Sequence, residues 1–373
     1  MTRTASSPTL VLAAAFAFVV PGPALAQEPG AGGGGAGARG AGTVRGVVLA
    51  GPAEPVPYAV VAMPPRFPQR FTDAGGVFVF TRVPAGSYHL QVRQVGYKPL
   101  DTAVVVVAGQ TVAITATLER LTVQLEDITI VTTRGAGCTQ PGPPDAGSPE
   151  LAALFEQLAQ YARQYRLLAT DYQFRYRMVR TFSDINELGG VDWSRRDTVA
   201  YLSSSLVHYR PGNVVTMTDL PDGTRSPAVV LPTVADLADS LFQAHHCFTF
   251  SGKVQEGGAE AVRFHFRPAD SLRAPDLAGD VDMDPRTYQV RRLTVSLTHP
   301  EMAWDKMRAA TSTITFAELL PNIVVQRRVE SVQLLVKPPL RSGGLHYVAQ
   351  FVEDQVLLDS RFLHPLPGRE SPP

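Results

Sequence analysis

The sequence predicts a mainly β protein in two parts: an N-terminal seven-stranded antiparallel β-sandwich, then a larger curved antiparallel sheet with two covering helices. Three observations predict it. Short β-branched runs, punctuated by Gly and Pro, follow one another from Thr43 to Val131. Longer runs that alternate apolar and polar residues fill most of the chain after Asp171. Only the stretches opening at Pro149 and after Thr233 carry the 3.6-residue period of a helix.

The chain of 373 residues is long enough for two domains, and 45% hydrophobic residues can fill their cores. Its 34 Lys+Arg balance its 34 Asp+Glu. That neutrality excludes a general nucleic-acid binder and a polybasic membrane-surface protein, both of which need a basic face.

The first 26 residues read as a secretory signal peptide. Arg3 gives the positive start, Thr9 to Val20 is an apolar run, and Ala24-Leu25-Ala26 ends it with small residues before Gln27. The run is too short to cross a bilayer, which takes about 20 apolar residues, and no later stretch forms a transmembrane span. The expected location is therefore periplasmic or extracellular, with association to an outer membrane left open. Residues 27–42 are a Gly-rich linker with nothing to bury.

The expected sandwich occupies 43–133. Its strand candidates are TVRGVVL, PYAVVAM, GVFVF, SYHLQVRQV, DTAVVVV, TVAITATL and VQLEDITIV. In the sixth, Val112, Ile114, Ala116 and Leu118 face one way and Ala113, Thr115 and Thr117 the other.

Within these strands, Thr72-Asp73-Ala74-Gly75-Gly76-Val77-Phe78, Val83-Pro84-Ala85-Gly86-Ser87-Tyr88 and Val95-Gly96-Tyr97 resemble the turns of the carboxypeptidase regulatory-like domain over residues 43–120. The resemblance implies a transthyretin-like sandwich grouped with carbohydrate-binding-like folds, and no catalysis. Asp73, Gly76, Gly86, Tyr88, Gly96 and Tyr97 are expected to be structural turn residues. A short acidic side chain can bond the amides of its own turn, and glycine admits positive φ. None of the 8 His is followed by Glu at the HxxE spacing of a metallocarboxypeptidase zinc site.

Residues 134–148 are a Gly/Pro linker, and 149–366 the expected α+β domain. Ser148 and Pro149 suit the N-cap and first position of a helix. Leu151, Leu154, Phe155, Leu158, Ala162, Tyr165 and Leu168 give that helix one apolar face. Thr233 and Asp236 stand in the capping-box relation for the second helix. The hairpin Leu277 to Leu293 resembles that of bacterial lipoprotein carriers of the LolA/LolB type, which implies a half-barrel lidded by helices.

Cys138 and Cys247 are the only cysteines. An even count in an exported chain favours a disulfide; free thiols, or a metal site with His245 and His246, are the alternatives. Asp280, Asp282 and Asp284 alternate, but Pro285 and Arg291 occupy the places where an EF-type calcium loop needs Gly and an acid. No nucleophile motif accompanies Ser203-Ser204-Ser205.

The function expected is that of an exported, non-enzymatic envelope protein without cofactor or metal. Its second domain is expected to bind an apolar ligand or a protein partner, with Tyr172, Phe174, Tyr176 and Phe264 as the ligand-facing stripe. Two alternatives are a glycan-binding module using Tyr58, Phe67, Phe71 or Tyr97, and a hydrolase whose site is assembled from distant residues.

Overall fold

The structure is a computed structural model that describes residues 40–121, 137–143, 149–204, 209–219, 225–337 and 346–367. The signal peptide, most of the Gly-rich linker, Ser148 and the seventh sandwich strand expected at 123–131 lie outside the described residues. Gly40–Pro373 forms one compact unit.

Eight strands build the sandwich: β1 (Ala41–Ala50), β2 (Glu54–Pro55), β3 (Val60–Met63), β4 (Phe67–Phe71), β5 (Val77–Pro84), β6 (Gly86–Arg93), β7 (Leu100–Val106) and β8 (Thr111–Leu118). One sheet runs β2-β1-β5, with β8 also on β1; the other runs β4-β3-β6-β7. Alternation on β1 sends Val44 and Val48 inward against Phe78, Phe80, Leu90 and Val104. The β1–β8 pair is parallel, whereas the other sandwich strand pairs among the described residues are antiparallel. Alternation in sequence specifies faces, not partners, so it could not have revealed that pairing. The short β2 and β4 also escaped the sequence reading: β2 has two residues, and β4 contains Pro68 and two exposed polar residues.

The second part opens with α1 (Pro149–Asp171), followed by β9 (Phe174–Ile185), β10 (Val191–Leu202), β11 (Val215–Asp219) and β12 (Arg225–Val229). Two short helices come next, α2 (Val234–Leu237) and α3 (Ser240–Gln243), where the sequence suggested one. Asp239 divides them by capping α3 with its carboxylate on the Leu241 amide. The chain continues through β13 (His246–Glu256), β14 (Ala259–Pro268), β15 (Leu277–Met283), β16 (Val290–Leu297), α4 (Pro300–Ala303), β17 (Met307–Leu320), β18 (Ile323–Lys337) and β19 (Tyr347–Phe362).

Nine of these strands form a curved antiparallel sheet ordered β10-β9-β19-β18-β17-β16-β15-β14-β13, not closed into a barrel. The last strand returns to pair with β9, so the C-terminal strand completes the middle of the sheet. Register shifts at Phe250/Gly252, Thr315/Phe316 and Leu357/Asp359 mark bulges, the irregularity that bends and coils a sheet. β11 and β12 make a separate two-stranded ribbon.

α1 fills the sheet. Leu151, Leu154, Phe155, Leu158 and Tyr161 pack with Val262, Phe264, Val281, Leu293 and Ile314 in the largest core. A smaller core joins Tyr58, Val60 and Phe71 of the sandwich to Leu168, Phe174, Leu320 and Ile323. Cys138 and Cys247 are bridged, with Cα atoms 5.6 Å apart. The bridge ties the segment before α1 to β13, where the Gly142 amide also donates to His246 O at 3.1 Å.

Candidate functional site

Aromatic side chains converge where α1 leaves the sheet. Tyr161 and Tyr165, one helical turn apart, stack with ring centroids 6.0 Å apart. Tyr165 meets Phe174 edge-on at 6.1 Å, and Phe174 neighbours Tyr176 at 6.1 Å. Phe316 and Val324 close one side of the resulting cleft, and Thr233, Val234 and Ala235 form its lip.

Local interactions fix these walls. The Tyr161 hydroxyl donates to Val324 O, pinning α1 to β18. The expected capping box is present: the Asp236 amide donates to Thr233 Oγ1 at 3.1 Å, and the Thr233 amide donates to Asp236 Oδ2 at 2.7 Å. Burial pushes the Tyr161 and Tyr165 phenols well up from their ordinary value, and that of Tyr176 up to about 12. The phenols therefore stay neutral across the physiological range, and the cleft presents an uncharged surface to an apolar group.

The expected ligand stripe divides. Phe174 and Tyr176 line the cleft. Tyr172 lies on a different surface, its ring 5.8 Å from Phe71. Phe264 is fully buried, 5.1 Å from Phe155 of α1. It shares the face of the sheet expected from alternation, but the helix covers it. Tyr161 and Phe316 escaped notice because aromatic residues at helical or strand spacing read as ordinary core.

Asp73 Oδ1 accepts from the Gly75 and Val77 amides, both at 2.8 Å. Gly76 has φ +74°, and a Cβ there would lie 2.5 Å from Val48 O. The Tyr88 hydroxyl donates to Pro84 O at 2.8 Å, tying down the turn that holds Gly86. Gly96 donates its amide to Gln157, and Tyr97 is buried with Arg120 5.3 Å above its ring. Of the aromatics considered for a glycan, Tyr58, Phe71 and Tyr97 are buried and Phe67 packs on the sandwich core.

The acidic row on the hairpin is paired with basic side chains. Asp280 faces His265 at 3.0 Å, Asp282 holds Arg263 at 2.6 and 2.7 Å, and Asp284 holds Arg291 at 2.6 Å. Among the described residues no group of three His, Cys, Asp or Glu is placed to hold a metal ion. His246 and Asp276 meet at 3.6 Å, with the Tyr209 hydroxyl donating to Asp276 at 2.8 Å. Both side chains are sealed from solvent, and burial pushes the His246 pKa down. The His246 ring stacks on Phe242 and contacts two backbone carbonyls, so this cluster reads as a core fastening. Among the described residues no helix is long and apolar enough to cross a membrane.

Comparison with curated proteins finds no match. Solved structures similar to the chain include the minor pilin of Streptococcus agalactiae, at 18% identity and TM-score 0.21 over 22% of this chain and 46% of that one. The chain thus spans under half of the pilin. An outer-membrane lipoprotein-sorting protein domain from Vibrio parahaemolyticus is 13% identical, with TM-score 0.30, over 58% of this chain and 95% of the other. A LolA superfamily protein from Nitrosomonas europaea is 11% identical, with TM-score 0.27, over 57% and 94%. The sandwich is matched directly by sequence: residues 43–119 fit the family model of the carboxypeptidase regulatory-like domain.

Proposed function

We propose that the chain is an exported, non-enzymatic envelope protein that binds an apolar ligand in the cleft between α1, α2 and the large sheet. The observation that carries this reading is the convergence of Tyr161, Tyr165, Phe174, Tyr176 and Phe316 on one uncharged opening. Tyr165, Tyr176 and Phe316 keep part of their surface open, as the lining of a ligand site does, while Phe174 and Tyr161 are buried behind them. The disulfide supports export, because bridges persist in oxidising compartments. On this reading residues 1–26 are a cleaved signal peptide, 43–133 a regulatory-like sandwich domain and 149–366 the ligand-holding domain.

The test is a fluorescence titration of the purified chain with N-phenyl-1-naphthylamine, which brightens in apolar surroundings. The expected result is saturable 1:1 binding that Ala235→Trp abolishes by filling the lip, with the circular dichroism spectrum unchanged. Equal binding by the Trp variant would place the probe elsewhere and sink the reading.

A further inference from the structure

A second cavity lies further along the same strands. β9 supplies Phe174 and Tyr176 to the cleft and Arg180 and Phe182 to this cavity. All four have the same parity, hence the same face, and Tyr176 and Arg180 stand about 13 Å apart along the strand. One stretch of chain roofs both spaces: Pro227 and Val229 lie over the cavity, and Thr233 to Ala235 over the cleft.

The cavity is chemically unlike the cleft. Gln333 is only 7% exposed; its Nε2 donates to Pro227 O at 3.2 Å, while its Oε1 is buried with no partner. A buried acceptor left unpaired is costly, so the amide is set to receive a donor that the described residues do not supply. Ser312 and Ser331 share a hydrogen bond at 2.8 Å beside it. Glu353, held by Gln355 Nε2 at 2.9 Å, completes the polar wall. Phe182 and Phe351, stacked at 5.8 Å, give an apolar one.

The charges select the occupant. Arg180 commits its Nε and Nη2 to Asp197, each at 3.0 Å, so the two-pronged edge that would grip a phosphate is already taken. Glu353 and Asp197 on either side further disfavour an anion, and Arg180 disfavours a cation. Ring faces, an amide, a carboxyl and hydroxyls without an uncommitted cation suit an uncharged group with several hydroxyls. Its C–H face lies on the rings and its hydroxyls reach the polar wall.

We propose that this cavity receives the uncharged, hydroxyl-rich head of an amphiphile whose apolar chain occupies the aromatic cleft; the proposal rests on the cleft being a ligand site. The test is isothermal titration of the full chain with n-dodecyl β-D-maltoside and with dodecylphosphocholine, both below micelle formation. The chains are equal and only the heads differ. The maltoside is expected to bind about tenfold tighter, a difference of about 1.4 kcal/mol. Gln333→Leu and, separately, Ser331→Ala are expected to erase most of that preference while leaving dodecylphosphocholine binding intact, which also shows that the variants fold. Equal affinity for the two amphiphiles overturns the head-group site and leaves the cleft reading standing. A preference unchanged in both variants also overturns it, because the unpaired amide is then satisfied by water alone. Failure of both amphiphiles to bind overturns the cleft reading and this proposal together.

Discussion

The backbone N–H of Gly96 in the sandwich donates to Gln157 Oε1 of α1 at 2.7 Å, joining residues 61 apart in the chain. Gln157 is the first of a glutamine stripe. Gln160 and Gln164 follow at helical spacing, all three buried, and Gln164 Nε2 donates to Tyr58 O at 2.8 Å and to Gln94 Oε1 at 2.7 Å. The helix is thus buried on two sides, its leucines and aromatics against the large sheet, and Gln157 and Gln164 against the sandwich. Unpaired polar groups are costly in such a contact, so hydrogen bonds set its register more narrowly than apolar packing would.

Gln157→Met keeps the volume and removes the acceptor, leaving the Gly96 amide buried and unpaired. The expected loss is about 1–3 kcal/mol in urea unfolding. A loss below about 0.5 kcal/mol, within the range of a neutral surface change, would show that the amide finds another acceptor.

The disulfide closes a loop across 109 residues of sequence. The chain-entropy model gives about 4–5 kcal/mol for a loop of that length. Replacing both cysteines by Ser is expected to lower the melting temperature, and adding reductant to the native chain should reproduce that fall. The double-Ser variant itself should be insensitive to reductant. If reductant shifted it equally, the effect would not belong to the bridge.

Arg263 and Asp282 form a two-pronged pair whose members are unequally buried, at 31% and 2% side-chain exposure. Removing either partner should therefore cost different amounts. Arg263→Met strands a carboxylate out of reach of water, with an expected loss of about 3–5 kcal/mol. Asp282→Asn leaves a guanidinium that can turn to solvent, and should cost clearly less. Equal losses in a denaturation series would mean that the strand packing, rather than the stranded charge, sets the cost.

Alternation revealed most of the large sheet, because a one-sided strand must repeat every two residues. DYQFRYRMVRTF did place Phe174 and Met178 on the buried face. The capping pair Thr233 and Asp236 was equally legible, since it is a local device. What stayed hidden depends on distant partners. The glutamine stripe looks like a solvated helix face until the sandwich lies against it. Phe264 looks like a ligand contact until Phe155 covers it. Arg180, Gln333 and Glu353 sit on three strands, and nothing in the order of the chain announces that β19 returns between β9 and β18.

That return sets up a pH test of the polar cavity. Burial pushes the Glu353 carboxyl above its ordinary 4.5, outweighing the nearby Arg180 charge. A carboxyl raised on folding binds its proton more tightly in the folded state, so ionising it at neutral pH works against the fold. Glu353→Gln removes that penalty while keeping an oxygen to accept from Gln355. The variant is expected to be more stable than the native chain at pH 7. The difference should shrink as pH falls through the raised folded value and vanish below about 4.5, where the carboxyl is protonated in both states. Parallel urea titrations at pH 7, 5.5 and 4 read this directly. A native chain that outlasted the variant at pH 7 and lost its lead on acidification would show the opposite balance. The attraction of Arg180 would then exceed desolvation, and Glu353 would stand as a stabilising charged partner of Arg180.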